Sequence, residues 1–350
     1  MKIHLPVRPA ILARRTYEAP AEGRRGKIRL DCNENTSGCG VAVRRALAQL
    51  TAKEISTYPE YQRASRSLAR HFGVSPEELV VANGGDDALR VFFDTFVEPH
   101  SEVVIIEPTF PMYRYYAEIT GARIRALRYG PNMEFPTVEA LKMLCLKPRA
   151  LFVTNPNNPT GTLVPKSVLA RLLQRASHTV VVVDEAYAEF SGESVVPWIR
   201  RFPHLFIVRT FSKAAGLAGL RLGVLLANRK SLVYVRRAMP PFPVNTAALA
   251  AGVAAVGDRR AITRYVRGTI HRRAWFTEQL RNAGVRVFRS GGNFLLADFG
   301  ELGPRFFRRL ARHRILVRQY KEVLGPGFAR ITIGTQAELE KVLQILRRTF

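Results

Sequence analysis

Seven strand-length runs, most of them rich in β-branched residues, recur between Leu79 and Leu226 with helical stretches between them: Leu79–Ala82, Val103–Ile106, Arg123–Leu127, Ala150–Thr154, Thr179–Val183, Leu205–Arg209 and Gly223–Leu226. This alternation predicts an α/β domain around a mostly parallel seven-stranded sheet. The runs before Asn83, Glu107, Asn155 and Asp184 each end at a polar or turn-forming cluster. Open α/β sheets bind ligands outside the carboxyl ends of their strands, so these clusters should meet at one crevice. After about residue 235 the pattern changes. A long helical stretch from Thr246 leads into Val285–Arg289, Phe294–Asp298, a helical Gly303–His313 and Phe328–Ile333. The expected organisation is an arm at 1–30, a large α/β domain at 31–235 and a smaller α+β domain at 236–350, which the arm joins.

The 350 residues, 47% hydrophobic, suffice for one large core with a smaller one beside it. The longest apolar runs have the length of strands, well short of the ~18 residues of a membrane span. The opening MKIHLPVRPAILARR holds no sustained apolar segment, which argues against a secretory signal. Cys32, Cys39 and Cys145 are odd in number and lack metal-ligand spacing, so they read as reduced thiols of a cytoplasmic protein and no metal is expected. The net charge of +26 invites a nucleic-acid reading. Its distribution argues otherwise: residues 231–350 contribute +15 and 1–30 contribute +6, mostly as scattered arginine pairs without interleaved aromatics. They read as solvated helix faces whose field favours an anionic substrate.

Chemistry concentrates at the strand ends. In Thr210-Phe211-Ser212-Lys213-Ala214-Ala215-Gly216 a lysine lies between small hydroxyl residues and a glycine-rich segment, with Arg221 eight residues on. A lysine amine forms a Schiff base with a carbonyl, while Thr210, Ser212 and Arg221 can donate to a phosphate. Asp184 closes a valine strand, where an acid is costly without a cationic partner. A protonated pyridine nitrogen would be such a partner; a helix N-cap is the plainer role. Tyr187 follows at three residues and is either a ligand or a packed core tyrosine. Asn155-Pro156-Asn157-Asn158-Pro159-Thr160-Gly161 is a rigid turn that can aim the Asn158 amide, or else serves shape alone. Gly84 and Gly85 open a helix whose backbone N–H groups suit an anion, or else form a plain strand-to-helix turn. Phe110, between two prolines, either stacks on a ligand ring or packs into the core with Tyr113 left on the surface. Arg318 and Arg330 sit at the edges of strand-like runs and suit carboxylate or phosphate, or else structural salt bridges.

Together these strings resemble the class-II aminotransferases of the histidinol-phosphate type, which have the fold-type I architecture and use pyridoxal 5'-phosphate. The resemblance runs in the family's order from Asp31-Cys32-Asn33-Glu34-Asn35 to Arg330-Ile331-Thr332-Ile333-Gly334-Thr335, and is most specific at 155–161, 184–190 and 210–223. It implies that Lys213 carries the cofactor as an imine and shuttles a proton, that Asp184 pairs with the pyridine nitrogen, and that Asn158 and Tyr187 bind the phenolic oxygen. It places Gly85, Asp86, Thr210, Ser212 and Arg221 around the phosphate and Phe110 on the ring. Arg330, assisted by Arg318, then binds the substrate's acidic group, with Asn33 in the substrate-facing segment. Tyr58 resembles a tyrosine donated to the neighbouring subunit's phosphate site, which implies a homodimer. Two departures stand out. Thr36-Ser37-Gly38-Cys39-Gly40 replaces a proline and an aromatic–glycine pair, and Gly85 replaces a serine.

The implied activity is amino transfer between glutamate/2-oxoglutarate and a second substrate, with histidinol phosphate/imidazole acetol phosphate as the candidate pair of histidine biosynthesis. An aromatic or specialised-pathway aminotransferase and a phospho-amino-acid decarboxylase of the same family are the alternatives. A basic nucleic-acid-binding protein on an inactive scaffold is the alternative from another class, and intact Lys213, Asp184 and Arg221 argue against it.

Overall fold

The computed structural model describes residues 5–14 and 22–349. Its strands in chain order are β1 (Ile28–Leu30), β2 (Leu79–Ala82), β3 (Glu102–Glu107), β4 (Arg123–Arg128), β5 (Ala150–Thr154), β6 (Val180–Asp184), β7 (Leu205–Thr210), β8 (Gly223–Ala227), β9 (Arg286–Val287), β10 (Phe294–Asp298), β11 (Ile315–Gln319) and β12 (Phe328–Thr332). Seven of them form one sheet in the order β2-β8-β7-β6-β5-β3-β4, matching the fold class expected from the pattern of runs. Strand β8 runs antiparallel to both neighbours, and the remaining pairings are parallel.

Helices cover both faces, which is why strands such as Val180–Val183 are apolar without alternation. Val104, Ile106, Leu151, Val153, Val181 and Val183 face one core, while Val103, Ile105, Phe152 and Val182 face the other. Because β3, β5, β6 and β7 are parallel, Glu107, Thr154, Asp184 and Thr210 all lie at the same edge of the sheet.

The second sheet has the order β1-β11-β12-β10-β9. Its core joins Leu30, Leu295, Ile331, Phe306 and Leu343. Strand β1 pairs parallel with β11, so the segment just before Asp31 is anchored in the sheet built mainly from the C-terminal third.

The helical stretch from Thr246 is two helices, Thr246–Gly257 and Arg259–Asn282, divided at Asp258, whose side chain accepts from the Ala261 N–H. The first of them contradicts the expected boundary at 236. Ala248, Leu249, Ala251 and Ala255 are buried in the core of the large sheet. Its small residues permit that approach: a Cβ on Gly252 would lie 2.3 Å from Leu222 Cδ2.

Candidate active site

Lys213 follows β7 in the short Phe211–Gly216 loop. Its ammonium donates to the Cys32 carbonyl at 3.0 Å and lies 5.8 Å from the centre of the Tyr187 ring. Burial, reinforced by the positive charge of Arg330, lowers its pKa from 10.5 to about 8. Asp184, at the carboxyl end of β6, is 4% exposed. Burial raises its pKa to about 6. One carboxyl oxygen takes the Tyr113 hydroxyl at 2.6 Å and the other takes the Ala186 N–H at 3.0 Å.

The candidate anion cradle lies where β2, β7 and β8 meet the helix Gly84–Phe96. Gly84 has φ +86°, and a Cβ there would stand 2.7 Å from an Arg221 guanidinium nitrogen. Gly223, beside Arg221, faces Gly84 so closely that its Cβ would fall 2.5 Å from the Gly84 carbonyl carbon. These glycines let the guanidinium and the helix N-terminus share one small space. Arg221 itself is in the left-handed region (φ 55°). Its guanidinium pairs with Asp86 at 2.8 Å, both side chains being 42% exposed. The Thr210 hydroxyl donates to Ser212 Oγ at 3.0 Å, and a Cβ on Gly85 would touch Thr210 at 3.8 Å. Gly85, Asp86, Thr210, Ser212 and Arg221 are thus grouped by the fold.

The other wall joins the two sheets. Asn33, fully buried with φ 54°, donates from Nδ2 to the Tyr187 hydroxyl at 3.0 Å. Its backbone N–H donates to Thr332 Oγ1 at 3.0 Å, and its carbonyl accepts from Asn293 Nδ2 at 3.0 Å. Burial raises the Tyr187 pKa to about 12. Arg330 donates to Asn158 Oδ1 and to the Asp31 carbonyl, and its guanidinium carbon lies 5.6 Å above the Phe294 ring. The buried Nε of Arg330 has no partner among the described residues. Arg318 is the register partner of Arg330 on the adjacent antiparallel strand, so both side chains leave the same face of the sheet. Among the described residues neither arginine is paired with a carboxylate.

Phe110 is half-buried and meets Tyr113 edge-on at 5.8 Å. The alternative that left Tyr113 on the surface is corrected: Tyr113 is 1% exposed. It lies on the helix Met112–Thr120, whose inner face packs on Phe93 and Phe152. Tyr113 is the site residue that sequence reasoning missed; an aromatic three residues after Phe110 on a helix was the available signal. Tyr58 stands apart. It is 78% exposed and stacks on Phe242 at 4.4 Å, and its hydroxyl takes no hydrogen bond among the described residues.

Residues 25–346 match the family described as aminotransferase class I and II. The histidinol-phosphate aminotransferase of Geobacillus sp. (strain WCH70) is 34% identical, the alignment covering 91% of this chain and 89% of the relative. That of Geobacillus thermodenitrificans (strain NG80-2) is 36% identical over the same shares. The structure of histidinol-phosphate aminotransferase from Sinorhizobium meliloti, in complex with pyridoxal-5'-phosphate, superposes with a TM-score of 0.90 over 100% of both chains at 23% identity, a likeness of fold.

Proposed function

The chain belongs to the class I and II aminotransferase family, and from that premise we propose that it is a pyridoxal-phosphate-dependent enzyme moving an amino group between glutamate/2-oxoglutarate and histidinol phosphate/imidazole acetol phosphate. The observation that carries this reading is one juxtaposition. The Lys213 amine sits on the Cys32 carbonyl, one residue from the carbonyl that Arg330 holds, so a reactive amine and an anion-binding guanidinium address the same segment.

The residues fit the cofactor. The glycine-lined space at Gly84, Gly223 and Arg221 suits a phosphate, the acid of Asp184 suits a pyridinium, and the partnerless Arg330 Nε is a donor available to an anion. When bound, pyridoxal phosphate supplies an electrophilic carbonyl and an electron sink. The chain supplies the rest. Lys213 Nζ, unprotonated over more of the neutral range than an ordinary lysine, takes the proton from the substrate Cα. Asp184 carries the countercharge for the ring nitrogen. Asn158 and Tyr187 address the phenolic oxygen, and Phe110 covers the ring. Gly85 and Asp86 with their backbone N–H groups, Thr210 and Ser212 with their hydroxyls and Arg221 with its guanidinium surround the phosphate, while the Asp86 carboxylate pairs with Arg221. Arg330 and Arg318 bind the substrate anion in a bidentate manner that lysine cannot reproduce.

The same reading makes the active unit a cytoplasmic homodimer, in which Tyr58 reaches the neighbouring subunit's phosphate site. Exposed Ile55, Tyr58 and Phe242 supply apolar surface for that contact. No helix among the described residues is long and apolar enough to cross a membrane. The phosphate-holding part is then the large sheet, and the part that addresses the substrate anion is the second sheet, whose neighbouring strands β11 and β12 carry Arg318 and Arg330.

The test is an amino-donor panel with 2-oxoglutarate. Histidinol phosphate should be preferred to histidinol and to aromatic amino acids in kcat/KM. An aromatic amino acid better by tenfold, ~1.4 kcal/mol of transition-state binding, would overturn the substrate assignment in favour of an aromatic aminotransferase. A purified protein that stays colourless with added cofactor would overturn the assignment altogether.

A further inference from the structure

The hydroxyls behind Asp184 form a chain whose protons can be counted. Asn157 has a fixed amide orientation, because its Nδ2 donates to the Pro108 carbonyl and to Thr160 Oγ1, both at 2.9 Å. Its Oδ1 can therefore only accept, and it takes the Thr109 hydroxyl at 2.7 Å. From Thr109 the contacts continue to Thr154 Oγ1 (3.0 Å), to the Tyr113 hydroxyl (2.8 Å) and to Asp184 Oδ2 (2.6 Å). Four oxygen–oxygen contacts thus lie between an amide oxygen and a carboxyl, and three hydroxyl protons are available to fill them. With Asp184 ionised both ends only accept, and one contact has no proton. With Asp184 protonated every contact has one, each group donating towards Asn157.

We propose that Tyr113, Thr154 and Thr109 are positioning residues that couple the protonation of Asp184 to the direction of this chain. In the cofactor-free protein the chain favours the protonated form of Asp184, and when the proton leaves, Tyr113 turns its O–H onto the carboxylate. The step is balanced: the Asp184 O–H bond breaks, the proton passes to the pyridine nitrogen of the cofactor or to water, and no hydroxyl changes charge. The link to the cofactor rests on the function proposed above; the proton count does not. Burial of Asp184 acts in the same direction. The other groups facing it are Asp86 from the neighbouring helix and Glu185 beside it, which also favour the protonated form, and Tyr187 from the following turn.

The count makes predictions of opposite sign. Tyr113→Phe removes the donor to a buried carboxylate, so the Asp184 midpoint should rise by about one to two pH units. Thr109→Val leaves two contacts for two protons with Asp184 ionised, so the midpoint should fall. Thr154→Val should lower it for the same reason, and Thr109→Ser should restore the wild-type value. The readout is the infrared carboxylic-acid band of the full-length protein stripped of cofactor, followed against pH and assigned by its loss in Asp184→Asn. Circular dichroism identifies any variant that fails to fold, and either threonine variant alone suffices. Shifts of the same sign for Tyr113→Phe and the threonine variants, or no shift in either, overturn the proposal. Reloading with pyridoxal phosphate should abolish the band. A band that persists there, with the opposite shifts intact, would count against the cofactor assignment and leave the coupling standing.

Discussion

A lysine amine surrounded by protein loses the water that stabilises its charge, and Arg330 adds a second positive charge to the same region. The chemistry of Lys213 therefore begins at lower pH than that of a surface lysine. Competitive labelling of the cofactor-free protein, read by mass spectrometry, should show Lys213 becoming reactive with a midpoint near 8. Arg330→Gln should move that midpoint upward, since a charge that disfavours the ammonium has gone; a downward move would refute the coupling. Lys213→Ala should abolish turnover. Arg330→Lys should depress kcat/KM for both histidinol phosphate and glutamate, because one site serves both in turn. At this scale the sequence was legible where a side chain's chemistry is unusual for its neighbourhood, as for Lys213 after β7 or Asp184 after a run of valines. It was not legible for Tyr113, whose importance comes from a 2.6 Å contact across 71 residues of chain. Nor did it show that Arg330 holds Asn158 and the Asp31 carbonyl, because both bonds span tertiary distance.

Elements were legible because their signals are local. Leu79–Ala82, Ala150–Thr154 and Phe294–Asp298 are strands with the expected bounds, being buried runs that stop at turn-forming residues. The Thr246 stretch was misread because an alanine-rich helix has no apolar stripe to reveal which core it joins, and that information resides in Gly252 and Leu222. Strand contact also makes a prediction. Gly223→Ala places a methyl within 2.5 Å of the Gly84 backbone, which cannot rotate away. Forcing β8 from the helix start should cost about 1–3 kcal/mol and weaken cofactor retention as well. Gly192→Ala, at φ 72° with nothing within 4 Å, should cost only about 1 kcal/mol of backbone strain and leave retention unchanged. Thermal melts with and without pyridoxal phosphate separate the two outcomes.

Across the whole molecule the charge is uneven in how it is compensated. Every ion pair found among the described residues uses an arginine between Arg14 and Arg221, whereas 231–350 carries a net +15. Arg305, Arg308, Arg309 and Arg312 occupy one face of the helix Gly303–Arg312, at spacings where like charges repel. Screening should relieve that repulsion, so the melting temperature should rise between low and physiological salt; a fall would mean that the ion pairs of the large sheet dominate. The fold's second sheet was recognisable in the sequence, but the tie between the sheets was not. That tie decides what the guanidinium has left to give. Arg330 bonds to Asn158 on one side and to the segment after β1 on the other, while its buried Nε has no partner among the described residues. Under the proposed function it is a bracket already bolted at two corners: an arriving anion meets an oriented donor without displacing a bond, and an uncharged look-alike gains little from the charge that waits there.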